Sequence, residues 1–149
     1  MAYLIVKFVH VLLAITAVGA NITYAVWFAR ANAHPESAPT ILRGIKLIDD
    51  RIANPAYGFL LLTGIGLVWV GHYPWNTLWI DVALALYAVL LVVAAGFYTP
   101  TLKRQIAVVA TNGVGDPAAK ALSARGNTLA AIMGILVLGI LIMMVFKPT

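Results

Sequence analysis

Residues 7–24, KFVHVLLAITAVGANITY, decide the fold: they set a lysine, a histidine, an asparagine and a tyrosine into a run that is otherwise apolar. With its flanks the apolar run covers about 2–29, enough at ~1.5 Å per residue to cross a hydrocarbon core of ~30 Å. Lys7, His10, Ala14, Ala17, Asn21 and Tyr24 follow one another at alternating steps of three and four, so a helix carries them as one stripe. Polar side chains turned to lipid are costly, which predicts that the stripe faces protein. Ala14 and Ala17 within it would let a neighbouring helix approach closely.

The rest of the chain repeats the signal. Of 149 residues 62% are hydrophobic and 10% charged, and the mean hydropathy is +0.95, too little charge to cover a water-soluble domain. Further apolar stretches cover about 53–72, 77–99 and 127–146. The expectation is an all-α integral membrane protein, a four-helix antiparallel bundle forming a single transmembrane domain over 1–149. The first stretch reads as a retained span: it lacks a polar n-region, its apolar part is too long and no small-residue cleavage site follows. No cysteine is present, which excludes disulfides, thiolate metal sites and thiol catalysis.

The formal charge of +5 does not point to nucleic acid, because the basic residues sit beside the spans. Arg30, Arg43, Lys46 and Arg51 fall in the first connection, Lys103, Arg104, Lys120 and Arg125 in the third, and none in the second, GHYPWN. Positive-inside retention and anionic lipid account for this distribution. It predicts a multi-pass protein of the inner or plasma membrane with both termini extracytoplasmic and connections 30–52 and 100–126 cytoplasmic. Trp69, Tyr73, Trp75 and Trp79 gather at the outer turn, as an interfacial belt requires. In the first connection Ile41, Ile45, Ile48 and Ile52 recur at helical spacing, which predicts a short amphipathic helix on the inner interface. Pro55 reads as the first turn of the second span, Pro100 as a kink at the end of the third with TNG at 111–113 as a stop beyond it, and Asp116 as the cap of a short helix with Pro117 behind it.

Asp81 is the one carboxylate within a span, at a depth similar to Lys7 and His10. A buried carboxylate without a counterion is expensive, so the sequence predicts a Lys7/Asp81 pair beside His10, in an outer polar cluster of Lys7, His10, Asp81, Asn21 and Tyr24.

The pattern Lys7-x-x-His10, followed by AVGANITYAVWF, resembles the start of the HemJ-type protoporphyrinogen oxidases and of the related CopD-like membrane proteins. The stretch DDRIANPAYGFLLLTGIGLVW is similar to the second span of an uncharacterised branch of that group of predicted integral membrane proteins. The resemblance covers the first two spans well and the last two by hydropathy. It implies haem, with His10 as axial ligand to the iron and Lys7 meeting a propionate or handling a proton. Two departures stand beside it: no other span contains a histidine, and small residues around Ala17 replace the tryptophan that the family pattern places after its histidine. Copper transport is disfavoured, because Met133, Met143 and Met144 are confined to the fourth span.

Two functions therefore compete. The sequence favours a non-enzymatic accessory or structural subunit that packs against other integral membrane subunits, as in a respiratory or photosynthetic complex, with no catalytic residue of its own. The alternative is a haem-binding membrane oxidoreductase of the HemJ/CopD-like kind, with His10 and Lys7 as cofactor-binding residues. The charge distribution carries its own test. Single cysteines at positions 74 and 120 should react with an impermeant thiol reagent from outside and from inside respectively, and outside labelling of position 120 would overturn the orientation.

Overall fold

The computed structural model describes residues 1–148. They form helices joined by short turns, and no strand occurs among them. Four stretches are long and apolar enough to cross a membrane: Ala2–Ala33, Ala38–Val70, Leu78–Asn112 and Pro117–Phe146. The protein is thus a multi-pass integral membrane protein. At 30 to 35 residues these helices are ~45–52 Å long, well beyond the hydrocarbon thickness, so each continues into water or headgroups.

The chain divides into two compact units, Met1–Pro74 and Trp75–Thr149. In the first, α1 (Ala2–Ala33) packs against α2 (Ala38–Ile48) and α3 (Asn54–Val70), with a wide π-helical turn, Asp49–Ala53, between the latter two. Contacts run Tyr3 to Tyr73, His10 to Thr63 and Asn21 to Tyr57, so α1 and α3 are antiparallel. In the second unit α4 (Leu78–Val93) passes through a π-turn, Ala94–Tyr98, into α5 (Thr99–Asn112), and α6 (Pro117–Phe146) packs along both.

Both prolines follow a π-turn. Pro55 and Pro100 stand second in α3 and α5, directly after Asp49–Ala53 and Ala94–Tyr98. A proline inside an α-helix removes one N–H and drives its ring into the carbonyl four residues back; widening the preceding turn relieves that clash without breaking the helix. The helix runs on past Pro100 to Asn112, and Gly113 of the TNG stop ends it with φ +83°. Asp116 forms the expected cap, accepting from the N–H groups of Ala118 (2.8 Å) and Ala119 (3.3 Å), but the helix it starts is not short: it continues without a break into the fourth span as α6.

The amphipathic helix forms as α2, and its buried face is turned slightly from the isoleucine line: Ile45 is buried and Ile41 and Ile48 are half-buried. Ala38, Leu42, Ile45, Asp49, Ala53 and Ala56 are buried, while Ile52 is 47% exposed. The reason is α1, which continues to Ala33 and offers α2 a helical partner, so α2 packs along a neighbour rather than resting on lipid alone. The π-turn then sets the phase in which α2 enters α3. Because Ala17 is wholly enclosed and Leu42 almost so, both report this packing. Leu42→Ala should cost about 2–5 kcal/mol as a cavity, and Ala17→Leu about 1–3 kcal/mol by forcing α1 from α3. Unfolding in mixed micelles measures both, and wild-type midpoints would contradict the packing.

Candidate functional site

The α1 stripe meets α3. Ala17 and Tyr24 are buried, His10, Ala14 and Asn21 are half-buried, and Lys7 is exposed at the end nearer the N-terminus. Val6 and His10 come close to the α3 backbone at its glycines: a Cβ on Gly66 would stand 3.8 Å from Val6 Cγ1, and one on Gly64 would stand 3.4 Å from His10 Cε1. The Cε1–Nδ1 edge of the imidazole therefore sits over Gly64, where α3 has no side chain to hold it off.

His10 Nδ1 is 2.8 Å from Thr63 Oγ1. That hydroxyl also reaches back to the carbonyls of Phe59 (2.8 Å) and Leu60 (3.2 Å), which can only accept. A hydroxyl has one proton, so if Thr63 donates to its own helix it accepts from His10, and Nδ1 carries the hydrogen. The Leu60 carbonyl, which can only accept, also lies within hydrogen-bonding reach of the ring. With the hydrogen on Nδ1, the neutral tautomer leaves the Nε2 lone pair available to a ligand. An imidazole fixed through one nitrogen and open at the other is the arrangement in which histidine ligates metals.

Two further polar contacts join α1 to α3 and to the turn that follows it. Tyr3 and Tyr73 approach through their hydroxyls at 3.3 Å, and Gly71 makes room for the Tyr73 ring, since a Cβ there would sit 2.6 Å from it. Asn21 donates through Nδ2 to the Tyr57 hydroxyl at 2.5 Å and to the Ala17 carbonyl at 2.9 Å. Each pairing answers a polar group in lipid with a partner on the next helix.

The sequence-predicted residues fall in both units. His10 and Asn21 lie on the α1/α3 contact, Tyr24 is buried one turn further along α1, and Lys7 is exposed. Asp81 belongs to the second unit, where it is exposed in the first turn of α4. The partners on α3 had no signal of their own: Thr63 reads as a small packing residue and Tyr57 as a belt aromatic until the helices are in register. Met133 is buried on α6, in keeping with its reading as a packing residue. No three His, Cys, Asp or Glu side chains come together among the described residues.

Sequence reasoning also passed over Asp49. It lies beyond the apolar stretch, among Arg43, Lys46, Asp50 and Arg51, yet its side chain is buried where the π-turn meets α1. Asn54 Nδ2 donates to it at 3.3 Å, while the nearest lysine, Lys46, is bonded to Asp50 instead. Burial pushes the Asp49 carboxyl above the usual range, opposed by Lys46 and the Asn54 bond and reinforced by the charge of Asp50. The folded protein therefore holds this proton to higher pH than the unfolded chain does, and stability falls as pH rises from the ordinary carboxylate range through the raised value. Asp49→Asn should flatten that dependence and raise the unfolding midpoint at neutral pH. A midpoint that falls at pH 7 as at pH 4 would show the ionised carboxylate to be favourable.

No curated protein and no solved structure matches this chain. A family model described as "Predicted integral membrane protein (DUF2269)" matches residues 4–148. That match spans nearly the whole chain and agrees with four apolar membrane-length helices, and the protein belongs to this family of integral membrane proteins.

Proposed function

We propose that the α1/α3 pair is a cofactor site and that the protein is a membrane haem protein with His10 as the axial ligand. The observation that carries this reading is the state of the imidazole, with Nδ1 spent on Thr63 and Nε2 open. The donor set suits haem better than a bare ion: a lone ion would need three or more protein ligands, whereas a tetrapyrrole brings four nitrogens and asks the protein for one or two. A second histidine is absent from the spans, which favours a single protein ligand. Lys7, one turn from His10 on the same stripe and exposed, suits a carboxylate substituent of the group. Gly64 gives the imidazole edge room against α3, beside the Thr63 hydroxyl that holds Nδ1. Haem, when bound, supplies one-electron exchange at iron; the oxidoreductase reading rests on the resemblance of Lys7-x-x-His10 to the HemJ/CopD-like proteins.

A different observation supports the accessory-subunit reading. Ala130 and Gly134 lie one turn apart on α6, both exposed, and a Cβ on Gly134 would meet nothing within 4 Å. Such a small-residue face is how membrane helices receive a partner.

An absorption spectrum of protein purified from haem-replete cells separates the two. A Soret band that is lost in His10→Ala, and weakened in Thr63→Val at unchanged helicity, is the expected result. A colourless protein that co-purifies with larger membrane subunits would overturn the haem reading in favour of the other.

A further inference from the structure

The second unit has two carboxylates among its described residues, and neither serves the cations near the start of α5 and the end of the aqueous part of α6. Asp81 stands in the first turn of α4, at the far end of that helix, and Asp116 is committed to the Ala118 and Ala119 N–H groups and to Asn112. Arg104 and Arg125 are both exposed, and neither forms an ion pair among the described residues.

Their placement is specific. Gln105 Oε1 lies 3.8 Å from where a Cβ on Gly126 would sit, so Gln105 and Gly126, both buried, mark one level of the antiparallel α5/α6 contact. Arg104 and Arg125 each precede one of these residues by a single step. In two antiparallel right-handed helices a step backward from the contact turns to the same side on both, so the two guanidinium groups share one side of the hairpin at one level. Lys103, a further step back, falls on the side of α5 away from α6, and Lys120 lies toward the loop.

Depth names the ligand. The apolar segment of the third span ends near Tyr98, six residues or ~9 Å before Arg104, and that of the fourth begins near Thr128, three residues or ~4.5 Å after Arg125. Both arginines therefore stand within or just outside a headgroup layer ~5–8 Å deep. Two like charges side by side repel unless an anion lies between them, and guanidinium forks match the paired oxygens of a phosphate ester. We propose that Arg104 and Arg125 form a binding site for the phosphate of an anionic phospholipid. The site is independent of His10 and of any cofactor there.

The test uses the full chain in detergent, with phosphatidylglycerol and phosphatidylcholine as probes and native mass spectrometry to count bound lipid. Phosphatidylglycerol should bind in preference to phosphatidylcholine, and R104Q/R125Q should weaken it about tenfold or more, while K103Q/K120Q, with the same loss of charge, stays within about twofold of wild type. An equal loss in both double variants would mean diffuse attraction to a basic surface and would overturn the site. Displacement of the lipid by soluble glycerol phosphate at comparable concentration would assign the pair to a free phosphate ester and overturn the lipid. Helicity and elution profile report folding. Should the glutamine variant not fold, R104K/R125K replaces it: weaker phosphatidylglycerol binding supports the guanidinium site, and unchanged binding refutes it.

Discussion

A polar group in hydrocarbon has no water to turn to, and this constraint organises the first unit. Backbone groups meet it by forming helices, and side chains meet it by pairing across to the next helix. The contacts from Tyr3, His10 and Asn21 to Tyr73, Thr63 and Tyr57 are that constraint resolved three times along one helix pair. Between them the stripe narrows to Ala14 and Ala17, where close backbone approach replaces hydrogen bonding. One stripe therefore supplies both terms that hold membrane helices together without a hydrophobic force between them.

The same constraint accounts for the treatment of proline. A break in the helix at Pro55 or Pro100 would leave backbone carbonyls unpaired close to lipid; the wide turns before them keep the hydrogen-bonded column continuous. The consequence reaches beyond the membrane. Because the helices do not end at the boundary, α1 and α2 form one extension and α5 and α6 another, and these carry most of the basic residues. Asp49 is buried at the junction, where the π-turn of one helix is pressed against α1.

The two proposed sites share a logic while differing in chemistry. At His10 an otherwise complete network leaves one lone pair unused, which is a nucleophilic vacancy for a metal centre. At Arg104 and Arg125 no ion pair among the described residues answers the two positive charges, which is an electrostatic vacancy for a phosphate. Both arise where the demands of the fold are satisfied with one group to spare.

The amino-acid sequence by itself determined the medium, the helices and the membership of the α1 stripe. Hydropathy over twenty residues reports solvent, and three-four spacing reports a helix face, and both are local properties. It also carried the Asp116 cap, whose signal is confined to two adjacent residues. Only the tertiary structure decided what each stripe residue meets, because Thr63 and Tyr57 become partners through the register of two helices separated by an intervening helix and turn. It likewise decided the buried face of α2, which α1 and the π-turn set together, and it buried Asp49 within a run of charges that reads as a solvated face. Local pattern specifies what a residue can do; register and the phase of a helix turn select the neighbour with which it does it.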